Sequence, residues 1–147
     1  MAKKKKEETK AEFSPEEVKH LEFIQGVINR MGSNSFQMKG WMITIVSALL
    51  ALYSGSSNKS FLLFAILPTL LFWYLDSYYL QQERKFRGLY NDVAKVSDTP
   101  KEIKPFAMPL NLYTGGKYSL WDVFTSETVL PLYAFVIVAL LVVSFFL

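Results

Sequence analysis

The chain has 147 residues, 51% of them hydrophobic and 16% aromatic, a high apolar content for a protein whose whole surface meets water. It contains no cysteine, which excludes disulfides, thiolate zinc sites and cysteine nucleophiles, and its single histidine, His20, leaves no histidine-based metal centre within one chain. The formal net charge is only +3, but the charge is segregated: apolar residues gather in blocks at 41 to 53, 61 to 75 and 129 to 147, and nearly all charged residues lie before or between them. Such segregation suits a lipid bilayer.

Residues 1 to 13 carry Lys3, Lys4, Lys5, Lys6 and Lys10 and read as a disordered basic tail, with anionic lipid rather than nucleic acid as its expected contact. Residues 14 to 36 read as an amphipathic helix. Ser14 as N-cap, Pro15 at the first helical position and Glu17 three residues on from the cap form a capping box. Leu21, Ile24, Val27, Ile28 and Met31 share one face with His20, while Glu22, Gln25, Asn29 and Arg30 lie opposite. This face is expected either to pack against another helix or to lie alone in the headgroup layer.

A membrane hairpin is expected over 37 to 76, its first span near 37 to 54 and its second near 60 to 76. Spanning takes about 17 to 25 helical residues, so the first needs Lys39 to extend its ammonium to the interface, and a buried or re-entrant helix is the competing reading. Ser47, Ala51 and Gly55 recur every four residues, spacing that lets two helices approach closely. They serve either an oligomer interface or the hairpin itself, opposite Ala65 and Thr69, and the short loop over 54 to 60 favours the hairpin. Pro68 marks a tolerated kink, and Trp73 and Tyr74 sit where an aromatic belt belongs. Asp76 closes the span at the boundary. It is a proton or cation carrier or, the preferred reading, the structural partner of Lys39 at the same depth.

From 77 to 96 the second helix should continue past the membrane, with Leu75, Tyr79, Phe86, Leu89, Tyr90 and Val93 on one apolar face that needs a partner. Glu83 and Arg87 read as an exposed pair worth about 0.2 to 0.5 kcal/mol. Residues 97 to 118, rich in proline and glycine, form a loop draped over these helices. Residues 119 to 128 read as an interfacial helix capped by Ser119, with Asp122 three residues on and Trp121 at the surface. Residues 129 to 147 form a third, uncharged span.

The sixteen Lys and Arg residues divide as eight before the first hairpin turn, Lys59 within it, and seven between 77 and 128. Because these residues favour the cytoplasmic side, the N-terminus and the long connection are expected in the cytoplasm and the C-terminus outside. No nucleophile with its base, phosphate-cradling loop or metal motif appears, and "TGGK" at 114 to 117 lacks phosphate-loop spacing. The expected protein is all-α, with three spans, the second extending into the cytoplasm, no enzymatic activity, no cofactor and no metal.

"HLEFIQGVINRM", "NSFQMKGW" and above all "FWYLDSYYLQQERKFRGLY" resemble segments of a group of small bacterial multi-pass membrane proteins, weakly extended by "LWDVFTSETVLPLYAF". The resemblance implies the bacterial inner membrane and this layout, and carries no catalytic residue. Two roles are expected from the whole: a helical cytoplasmic platform that docks a protein partner or self-associates, or an oligomerising effector that opens a leak. The second is similar in size and layout to membrane effectors of phage defence.

Overall fold

The computed structural model describes residues 13 to 146, and the basic run at 3 to 6 lies outside them. Two long antiparallel helices form its frame: α1 spans Pro15–Ser56 and α2 spans Ser60–Val93. The short α3, Leu120–Phe124, and α4, Leu130–Phe146, follow a loop with single 3-10 turns at Leu110–Leu112 and Gly116–Tyr118. No strand occurs among the described residues.

The start of α1 follows from its capping box: Ser14 Oγ accepts from the Glu17 N–H at 3.2 Å, and Glu17 Oε2 accepts from the Ser14 N–H at 2.8 Å. After Pro15 no proline interrupts the chain until Pro68, and α1 runs 42 residues without a break. The boundary expected at residue 36 therefore does not divide two helices. The amphipathic segment and the first apolar block are one rod, about 63 Å long at 1.5 Å per residue.

The hairpin turn is tighter than expected, with only Ser57, Asn58 and Lys59 between the helices instead of seven residues. Ser57 reverses the chain in the left-handed region, at φ 54°, and its N–H closes the helix on the Tyr53 carbonyl at 2.7 Å. In α2 the helix passes through Pro68, and beside it Thr69 Oγ1 donates to the Ala65 carbonyl at 2.7 Å. The extension ends at Val93 rather than 96, where Lys95 takes up φ 58° and the chain turns back.

Two apolar clusters hold the rods together. At the hairpin end, Met42 and Val46 of α1 meet Leu62 and Ala65 of α2, joined by Val123, Val129 and, from α4, Tyr133 and Leu140. At the far end, Ile24 and Ile28 pack on Leu89 and Val93, with Leu21, Phe86 and Tyr90 beside them and Tyr113 of the loop closing the cluster. The two amphipathic faces of the sequence thus cover each other. The proposed partner-binding residues Leu89, Val93, Ile24 and Ile28 are buried within the chain, and Tyr79 is half-buried.

The small-residue stripe behaves otherwise. Ser47, Ala51 and Gly55 are exposed, and nothing lies within 4 Å of a Cβ built on Gly55. The hairpin packs instead through Met42, Val46, Leu49 and Tyr53, because burying these larger side chains removes more apolar area from solvent. Expected use of the stripe as the seam of the hairpin is therefore corrected.

α1 and α2 are each long and apolar enough to cross a membrane, yet only 17% and 28% of their most apolar stretches is buried. A core helix of a water-soluble protein would show the reverse. Large apolar side chains face outward instead, Leu67 at 67% and Phe135 at 72% exposure among them. The interfacial segment is shorter than expected: α3 ends at Phe124, and a turn precedes α4.

Gly88 marks the closest approach of the loop to α2. A Cβ built there would stand 2.5 Å from the Tyr118 hydroxyl and 2.8 Å from the Tyr113 ring. Gly88→Val should cost about 1 to 3 kcal/mol by overpacking despite the better helix propensity of valine, and should free the loop. The check is faster proteolytic nicking between residues 94 and 119, with helicity by circular dichroism unchanged.

Candidate functional site around Asp76

Between the two apolar clusters lies a polar layer. Asp76 projects from α2 into the contact with α1 and is fully buried, as is Ser77 beside it, which donates to the Trp73 carbonyl at 2.8 Å. Ser35 donates to Asp76 Oδ1 at 2.5 Å. Lys39, one helical turn further on, brings its ammonium to 2.6 Å from Oδ2 and donates to Ser35 Oγ at 3.3 Å. The Lys39 contact to Oδ2 is an ion pair without the alignment of a hydrogen bond, which Oδ2 otherwise lacks. Lys39 keeps about a fifth of its side chain exposed, so the positive end of the pair reaches the surface while the negative end does not.

From α4, Tyr133 stands beside Asp76 and its hydroxyl donates to the Phe72 carbonyl at 3.3 Å. Its ring begins a stack of aromatic planes. Tyr133 and Trp73 are 5.8 Å apart and nearly parallel, Trp73 and Phe124 are 4.1 Å apart, and Phe124 and Trp121 are 6.1 Å apart. Trp73 Nε1 donates to the Phe124 carbonyl at 3.1 Å. Trp73 was expected to present its N–H to the headgroup layer; instead it ties α3 to α2, and only the last ring of the stack, Trp121, lies open, at 72% exposure.

Glu83, two turns beyond Asp76, is also buried rather than exposed. Its carboxylate packs beside Gly32 of α1, and Arg87 donates to Glu83 Oε1 at 2.7 Å from a largely exposed guanidinium. A Cβ built on Gly32 would touch that carboxylate at 3.7 Å, an ordinary contact. Both acids of the α1/α2 seam thus pair with a cation whose stem leads out to solvent, the arrangement that keeps desolvation tolerable.

A second polar node fastens the loop. Tyr113 donates to Asp92 Oδ2 and Ser97 to Asp92 Oδ1, each at 2.6 Å, while His20 donates through Nε2 to the Ala107 carbonyl at 3.1 Å. Burial pushes the Asp92 carboxyl up, but the Ser97 and Tyr113 hydrogen bonds, with the backbone N–H and charge of Lys101, outweigh it and hold Asp92 below its ordinary range. Burial, then the bond to Asp92, drives the Tyr113 hydroxyl well above the usual tyrosine range.

Among the described residues no group of three or more His, Asp or Glu side chains is placed to hold a metal. Asp76, Ser35, Lys39 and Tyr133 together join α1, α2 and α4 in one layer. Sequence reading named Lys39 and Asp76; it missed Ser35 and Tyr133. Ser35 lies one turn before Lys39 on the same face, a spacing that shows it from the sequence once the pair is accepted. Tyr133 carries no such signal, because its partner lies 57 residues away. Searches against protein-family models, curated proteins and solved structures gave no match.

Removing one member of a buried pair strands the other. Lys39→Met should destabilise the chain by about 3 to 5 kcal/mol, and Lys39→Met combined with Asp76→Leu should recover most of that loss. Reversible unfolding in mixed micelles reads both.

The loop latch has a pH signature. Asp92, depressed in the fold, adds stability that is present above its unfolded value of about 3.9 and lost as pH falls through its lower folded value. Tyr113, raised in the fold, adds stability present below about pH 10 and lost as pH rises through its folded value. Protection of the residue 94 to 119 amides, their exchange rate relative to the intrinsic rate at each pH, should therefore hold a plateau between these limits and fall beyond each. Tyr113→Phe should remove about 1.5 to 3 kcal/mol from the latch and level the plateau.

Proposed function

We propose that the chain is a non-enzymatic integral membrane protein whose two-helix frame carries a folded cytoplasmic platform rigidly on a membrane anchor. The observation that carries this reading is the continuity of α1 and α2, which pass from the apolar half into the polar half without a break. A platform built this way transmits its position and tilt to whatever it binds. In the same reading α4, uncharged over its 17 residues, is a third crossing, and the lysine-poor hairpin tip lies outside. The likeness of the segment around Asp76 to small bacterial membrane proteins supports a bacterial inner-membrane location.

The docking surface is not the predicted apolar face, which is consumed internally. What the platform offers outward is Phe23 and Phe106, each 49% exposed with rings 6.0 Å apart. An exposed aromatic pair flanked by Lys19 suits a protein partner with an apolar residue and an acid.

A second reading, an oligomerising effector that perturbs the bilayer, is favoured by one observation, the outward stripe of Ser47, Ala51 and Gly55. Membrane depolarisation on expression, lost in Ala51→Leu, is its expected signature. Steady potential together with co-purification of a soluble protein that Phe23→Ser and Phe106→Ser abolish is the signature of the platform.

Topology is tested separately. In a chain without native cysteine, Ser57→Cys should react with an impermeant maleimide in intact cells, and Ser97→Cys only after permeabilisation. Equal labelling of both in intact cells would overturn the assigned orientation.

A further inference from the structure

We infer that the rim where α3 meets α2 is a seat for an anionic phospholipid of the platform-side leaflet, with Arg84 and Lys117 taking the phosphate and Trp121 bordering the acyl region. This rests on the reading of α1 and α2 as membrane-crossing helices.

The seat has two storeys. Leu120, Trp121 and Phe124 line an open, apolar hollow of about 380 Å³. Trp121 ends the aromatic stack that runs from buried Tyr133, its ring nearly parallel to that of Phe124 and facing outward. An exposed tryptophan at this place, with an apolar body and a polar N–H, fits the junction of headgroup and hydrocarbon.

The upper storey is cationic. Arg84 Nη1 donates to the Lys117 carbonyl at 3.3 Å, and Gln81 donates to the Tyr118 carbonyl at 2.9 Å, which together pin the loop strand bearing Lys117 to α2. The Lys117 ammonium lies over the Tyr118 ring at 5.2 Å. One guanidinium N–H is spent on the loop, leaving the others of Arg84 for an oxygen ligand. Arg84 stands eight residues beyond Asp76, about 12 Å along the helix, within headgroup reach of a boundary at Asp76.

The acids of the rim are fewer than its cations. Glu83 is buried and paired with Arg87, and the exposed Asp122 and Glu127 on the α3 side stand against three cations unpaired among the described residues, Arg84, Lys117 and Lys85, the last next to Arg84 on α2. The balance is positive, complementary to an anionic headgroup and not to a zwitterionic one.

The test uses the full chain in nanodiscs and in detergent. Native mass spectrometry of detergent-solubilised protein titrated with phosphatidylglycerol or phosphatidylcholine should show preferential retention of the anionic lipid. Arg84→Ala and Lys117→Ala should each weaken it about fivefold, and together roughly twenty-five-fold, from about 1 kcal/mol per cation near a charged surface. Lys104→Ala, remote from the rim, should leave it unchanged. In nanodiscs, headgroup-proximal brominated phosphatidylglycerol should quench tryptophan emission more in the native chain than in Trp121→Phe. Equal retention of both lipids, or retention untouched by the double substitution, would overturn the seat. Recovery of the chain in soluble form without detergent would instead overturn the membrane reading beneath it.

Discussion

The arrangement of the four helices turns on one buried carboxylate and the way it is compensated. Asp76 is sealed from solvent, so its charge must be answered inside the fold, and the answer comes from two residues of another helix, Ser35 and Lys39. Because both partners lie on α1 one turn apart, the interaction fixes the sliding and the rotation of α1 against α2 together. Apolar contacts alone would not, since ridges of Ile, Leu and Val slip by a turn at small cost. Further along α2, Glu83 is buried beside Gly32 of α1 and pairs with Arg87 of its own helix.

With register fixed, the rest follows by packing. Ile24 and Ile28 arrive opposite Leu89 and Val93 on one side of the polar layer, and Met42 and Val46 opposite Leu62 and Ala65 on the other. α4 then lies chiefly along α2, with Tyr133 reaching the Asp76 layer and setting the stack through Trp73 and Phe124 to Trp121. A single line of contacts thus joins the buried ion pair to exposed Trp121. On the opposite end, Gly88 lets Tyr113 and Tyr118 close over α2, where Asp92 accepts from Tyr113 and Gln81 donates to the Tyr118 carbonyl.

Function is shaped by what this packing leaves uncovered. The amphipathic faces that advertise a partner in the sequence are each other's partner, and Phe23 and Phe106, outside that buried face, stay half exposed. The stripe of Ser47, Ala51 and Gly55 is left facing outward because larger side chains win the hairpin contact.

Periodicity, capping and charge segregation determined which stretches are helical and apolar, where α1 begins at Ser14, that α2 runs through Pro68 into a polar extension, and that Lys39 and Asp76 share a depth. These are local properties, set by residues within a few turns of one another. Tertiary structure alone decided that the hairpin seam runs through Met42 and Val46 rather than the small residues, that Glu83 is buried, and that Tyr133 completes the Asp76 layer. Each of those outcomes depends on which side chain arrives from a distant part of the chain, and burial is a competition among faces that no single segment encodes.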